Sequence, residues 1–70
     1  MNKKTFELKT DYIELIKLLK LMGIAESGSH AKYLVEEGEV KLNGEPESRK
    51  RAKLRKGDIV ETSKHRIEIR

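Results

Sequence analysis

The 70-residue chain predicts an α+β domain. Three features carry that reading. Two successive stretches place apolar residues at helical spacing, the apolar period switches to two after Gly38, and Asn43-Gly44 and Gly57-Asp58 mark turns between alternating segments. Two helices on one side of a small antiparallel sheet with hairpins satisfy this order.

Thr5 to Lys9 alternates polar and apolar residues, with Phe6 and Leu8 on one side, and reads as a short strand. Asp11-Tyr12-Ile13-Glu14 has the form of a capping box, so the first helix is expected to start there. Tyr12, Leu15, Ile16, Leu19 and Met22 then fall on one helical face, and Gly23 can close the helix. Leu18 and Leu21 fall toward the other side, so the first strand or the C-terminus is expected to cover them.

Ser27 reads as the next N-cap and Gly38 as the next stop. Between them Ala31, Leu34 and Val35 face inward, Ser29, Lys32 and Glu36 face outward, and His30 and Tyr33 lie on a flank. The link from Gly23 to Glu26 is short enough to force a packed helical corner. Beyond Gly38, Val40 and Leu42 alternate with Glu39 and Lys41 into Asn43-Gly44, a type I′ hairpin signal. Pro46 marks its return strand as an edge. Asp58 to Thr62 and Arg66 to Arg70 read as a second hairpin.

Seventy residues make one domain, 1–70, near the lower size limit for a single core. With no cysteine, neither disulfides nor cysteine–metal sites can staple it, and a reducing compartment suits it. The chain offers no apolar run of membrane-span length, and its first residues lack the apolar core of a signal peptide. A cytoplasmic monomer is the expectation.

Charge is concentrated in one place. The octet Arg49-Lys50-Arg51-Ala52-Lys53-Leu54-Arg55-Lys56 carries six positive charges and no negative one. The other ten basic residues face twelve acidic ones, so the whole net charge of +4 comes from the octet. A free basic tail would do this too, but the octet is internal, holds Leu54 and ends at a turn. A polyanion is the natural partner, since binding one releases its condensed counterions. With Phe6, Tyr12 and Tyr33 as the only aromatics, base stacking cannot dominate recognition.

Catalysis finds little support. His30 and His65 are the only histidines, no HExxH-like spacing exists, and no glycine-rich phosphate cradle appears. No catalytic residue, metal, cofactor or small-molecule substrate is predicted.

The ordered landmarks Leu21-Met22-Gly23-Ile24-Ala25-Glu26-Ser27, Ala31-Lys32, Leu34 to Gly44 and Lys56-Gly57-Asp58-Ile59-Val60 closely resemble the αL RNA-binding motif. That motif defines the domain named after ribosomal protein S-four, also found in pseudouridine synthases and bacterial tyrosyl-tRNA synthetases. Glu47 to Leu54 resembles more narrowly its small stand-alone bacterial members. The resemblance covers the chain from Tyr12 onward, with a motif core over 12–60. It implies two packed helices leading into a compact β-region, and a face on the second helix and following hairpin that fits structured RNA.

Carried over by position, Ser27, Lys32, Lys41 and Asn43 occupy motif sites, with Lys32 where many members have arginine. Two departures reduce the charge of the corner: Gly28 follows the serine where most members have arginine, and Tyr12 stands where many have arginine. The octet can compensate. The expected RNA-binding set is therefore Ser27, Gly28, Ser29, His30, Lys32, Lys41 and Asn43, together with Arg49, Lys50, Arg51, Lys53, Arg55 and Lys56. The helix start at Ser27 to Ser29 offers free N–H groups to a phosphate. Lys17 and Lys20 are read as solvating the first helix.

These readings predict a non-catalytic RNA-binding domain acting on structured RNA, ribosomal or tRNA-like. A docking adaptor for an acidic protein and a duplex DNA binder are the alternatives. The outward face of the second helix, with Ser29, Lys32, Tyr33 and Glu36, is poor for base readout in DNA.

Overall fold

A computed structural model describes residues 2–70. The element order is β1 (Asn2–Phe6), β2 (Ile13–Glu14), α1 (Leu15–Leu21), α2 (Gly28–Glu36), β3 (Lys41–Leu42), β4 (Glu45–Pro46), β5 (Lys53–Leu54), β6 (Ile59–Glu61) and β7 (His65–Ile69). Five strands form one sheet in the order β1-β7-β6-β3-β4, and β2 with β5 forms a second, two-stranded one. The fold is α+β, with two helices and a mixed sheet.

The sheet corrects the antiparallel expectation. Strand β1 runs parallel to β7, with Asn2 opposite His65 and Phe6 opposite Ile69. It also begins earlier than Thr5 and leaves the sheet after Phe6. Parallel neighbours need a long crossover, and here the whole intervening domain supplies it. The Arg70 N–H then donates to the Phe6 carbonyl at 2.9 Å and the Leu8 N–H to the Arg70 carbonyl at 2.6 Å, which carries Leu8 into the core.

The capping box at Asp11 to Glu14 does not form. Glu14 is the N-cap residue, extended at φ −73 and ψ 144, and its side chain makes no cap bond. Ile13 and Glu14 pair instead with Leu54 and Lys53. The first N–H groups of α1 are met by distant backbone: Leu15 donates to the Ala52 carbonyl at 2.9 Å and Ile16 to the Lys50 carbonyl at 3.2 Å. A tertiary contact thus replaces the local cap.

Because α1 starts three residues later than expected, its buried face is Leu15, Leu18 and Leu19, and Tyr12 lies outside the helix. Leu18, expected to be covered, is fully buried, whereas Leu21, expected to be covered with it, is 59% exposed. These leucines pack with Ala31 and Val35 of α2 and with Val40, Leu54, Val60, Ile67 and Ile69 from the strands. Each fully buried leucine contributes about 2 kcal/mol of apolar transfer.

Both helices end alike. The Gly23 and Ile24 N–H groups return to the Lys20 and Leu19 carbonyls, and those of Gly38 and Glu39 to Val35 and Leu34. That is a Schellman closure, and both glycines sit at φ +74, where a side chain would strain the backbone. Among the described residues no helix is long and apolar enough to cross a membrane.

Candidate nucleic-acid interface

Helix α2 begins with a reciprocal cap. Ser27 is extended at φ −153 and ψ 171, and its hydroxyl oxygen accepts the His30 N–H at 3.1 Å. The His30 Nδ1 in turn accepts the Glu26 N–H at 3.1 Å. The imidazole reaches one residue further back than a capping-box glutamate would, to the N–H before the N-cap. The first backbone bond within the helix runs from the Ala31 N–H to the Ser27 carbonyl at 3.0 Å. The N–H groups of Gly28 and Ser29 precede it, at the positive end of the helix dipole. A Cβ built on Gly28 would meet nothing within 4 Å, so that end is open to approach.

The octet is a fixed shelf. Ala52 and Leu54 are buried, Lys53 and Leu54 form β5, and the Lys50 and Ala52 carbonyls hold α1. All six of its cations are exposed, but they fall into two halves. Arg49 forks onto Glu47, with its Nη2 at 3.0 Å and its Nε at 3.2 Å from the two carboxylate oxygens. These guanidinium hydrogen bonds, helped by the Arg49 backbone N–H, hold the Glu47 carboxyl below the usual carboxylate range. The Arg51 Nε donates to Glu14 at 2.9 Å, and the Lys50 ammonium lies 3.9 Å from Glu36. Lys53, Arg55 and Lys56 have no acidic partner within salt-bridge distance among the described residues.

Glu36 also sits 3.8 Å from Lys32, one helical turn away. One carboxylate oxygen therefore joins the outward face of α2 to the octet, so the two groups of cations picked out in the sequence share one surface.

Lys41 and Asn43 are placed differently. Lys41 pairs across β3 and β6 with Glu61, which pairs with Arg66 of β7, and Arg66 with Lys3 of β1. Residues opposite one another share a sheet face, so this row lies on the side away from Leu42, Val60 and Ile67. Asn43 is occupied within the fold. Its Oδ1 accepts the Ile59 N–H at 2.8 Å and its Nδ2 donates to Asp58 at 3.1 Å. Asp58 also accepts the Arg55 N–H at 2.8 Å, which ties the end of the octet to the β3–β4 turn.

A sequence model of the S4 domain matches residues 6–70. The chain belongs to the S4 domain family. It is 44% identical over 66 residues to YbcJ of Escherichia coli strain K12, spanning 93% of this chain and 94% of that protein. The solution structure of YbcJ, described as revealing an αL motif involved in RNA-binding, matches with a TM-score of 0.72 over 93% of this chain and 84% of that one. The Bacillus subtilis protein named "Probable ribosome maturation protein RlbA" is 43% identical over 54 residues, 77% of this chain and 76% of that protein.

Within this S4 domain, sequence reasoning missed the acidic residues that partition the octet. Glu36 was within reach, because Lys32 and Glu36 stand at i,i+4 on one helix. Glu47, two positions before Arg49, was also near. Glu14 is 37 positions from Arg51 and carries no local signal of that contact.

Proposed function

We propose that this S4 domain binds structured RNA without catalysis, with ribosomal RNA as its target class, as a cytoplasmic monomer. The observation that carries the proposal is the continuity of the basic surface. Lys32 and Lys50 share Glu36, so the α2 face runs into the shelf bearing Lys53, Arg55 and Lys56. The Ser27 cap leaves the Gly28 and Ser29 N–H groups available to a phosphate beside that surface. A-form RNA hides its major groove, so proteins grip its phosphates, 2′-hydroxyls and junctions, and a rigid cationic surface suits that task. The RNA-binding αL motif described for YbcJ and the ribosome maturation named for RlbA support the RNA class and the ribosomal target.

Anisotropy titrations of a folded ribosomal RNA fragment and a DNA duplex of equal length, at one salt concentration, test the proposal. Tighter binding to the RNA is expected. Equal affinities would reduce the protein to a general polyanion binder.

A further inference from the structure

Tyr12 lies outside the core, at the edge of the basic shelf that carries Lys53. It is 41% exposed and forms part of a groove of about 660 Å³ between the β1–β2 connection and α1. Leu21, the most exposed large apolar side chain among the described residues, lines the same groove, together with Lys9, Lys17 and Arg51. The volume is in the range of small-ligand sites, about 300 to 1,000 Å³.

The tyrosine is held in place. The Thr10 hydroxyl donates to the Tyr12 carbonyl at 2.8 Å, which fixes the bend at Asp11. The Lys53 ammonium lies 4.9 Å from the ring centroid, a cation–π contact. Lys53 lies over the ring without lining the groove.

The chemistry of the lining selects an occupant. An exposed aromatic ring offers a flat face for stacking, and Leu21 offers an apolar edge. Lys9 and Lys17 offer positive charge, while Arg51 neutralises Glu14, one of the two glutamates in the lining with Glu7. A flat π-system that carries a negative charge next to it complements this set, and that is a nucleobase with its phosphate.

We propose that Tyr12 is a stacking platform for one unpaired nucleobase of bound RNA, with Lys9 and Lys17 at the adjoining phosphate. The inference rests on the RNA-binding reading above and adds a preference for an unpaired nucleotide beside the gripped backbone. One platform is consistent with a chain too poor in aromatics for stacking to dominate.

The test uses two RNA hairpins, one fully paired and one identical except for a single bulged adenosine. The wild-type protein should bind the bulged hairpin at least about fivefold more tightly, the low end of a base–aromatic stack. Tyr12→Phe should keep the preference, and Tyr12→Ala should bind both hairpins alike, with thermal midpoints confirming that both variants fold. The chain has no tryptophan and two tyrosines, so in Tyr33→Phe all tyrosine emission comes from Tyr12. The bulged hairpin should quench that emission more than the paired one. Equal wild-type affinity for the two hairpins, or a preference that survives Tyr12→Ala, would overturn the platform alone. Binding to neither hairpin would overturn the RNA-binding reading and the platform with it.

Discussion

Glu14 and Arg51, 37 positions apart, meet at 2.9 Å beside the two-stranded β2–β5 sheet. The ion pair fastens the octet to the start of α1 and removes one cation from the charge available to a partner. Glu47 and Glu36 likewise offset the charges of Arg49 and Lys50. Equal formal charges along the octet are therefore unequal in what they present.

The two halves of the octet are expected to differ in the salt dependence of RNA binding. Replacing Lys53, Arg55 and Lys56 by glutamine should lower the slope of log affinity against log salt by about two, at roughly 0.7 to 0.9 for each phosphate no longer neutralised. The same change at Arg49, Lys50 and Arg51 should lower it by less, since each of these already has a carboxylate within 4 Å. Thermal midpoints should barely move in either triple variant, because exposed charges, paired or unpaired, contribute little to stability. Equal slopes in the two variants would show that the internal pairs open freely on binding.

Local chemistry was legible in the sequence, and pairings between distant segments were not. Ser27 caps α2 through a bond three residues long, and Gly38 closes it with positive φ, so both ends of that helix are written locally. Asn43 and Gly44 both have positive φ, as an Asn-Gly turn requires. The start of α1 misled because Asp11 to Glu14 satisfies a local capping pattern, while strand pairing with Lys53–Leu54 and the Lys50 and Ala52 carbonyls decides the outcome. The parallel β1–β7 pair joins the two ends of the chain, and no turn residue can announce it. At the candidate interface, the cations were visible as residue types. Their pairing with Glu14 and Glu36 depends on that same long-range assembly.

Asn43 is expected to matter for stability. It sits at φ +52, which asparagine tolerates better than most residues, and its amide bonds Ile59 and Asp58. Asn43→Ala should destabilise by about 2 to 3 kcal/mol, combining backbone strain with the removal of two hydrogen bonds, one of them to a carboxylate. Asn43→Gly removes the strain and should recover about 1 kcal/mol of that loss. Urea denaturation measures both, and a glycine variant no more stable than the alanine one would show that the backbone term is negligible.

Lys32 and Glu36 should move RNA affinity in opposite directions. Lys32→Glu removes an attraction and adds a repulsion beside Glu36, so it should weaken binding by at least about 1 kcal/mol more than Lys64→Glu does, on the scale of charge-assisted hydrogen bonds. Lys64, in the β6–β7 turn, controls for net charge alone. Glu36→Gln should tighten binding, because it frees both Lys32 and Lys50. Titrations of all three variants against one RNA decide the matter. If Lys32→Glu and Lys64→Glu prove equivalent, the effect is net charge and RNA does not dock on the α2 face.

Gly28 offers a gain-of-function test. It is the first residue of α2, no Cβ clash awaits there, and its φ lies outside the region that favours glycine. The αL resemblance implies arginine after the capping serine, where this chain has Gly28, so Gly28→Arg supplies a cation at the open helix end. The stability effects nearly cancel: losing glycine gains about 0.4 to 1 kcal/mol, while a cation at a helix N-terminus costs about 0.3 to 1 kcal/mol. RNA affinity should rise, and the salt slope should steepen by roughly 0.7 to 0.9, the increment for one neutralised phosphate. Gly28→Ala separates the two effects, since it should stabilise the fold and leave the slope unchanged. An arginine variant with the wild-type slope would mean that no phosphate approaches the start of α2.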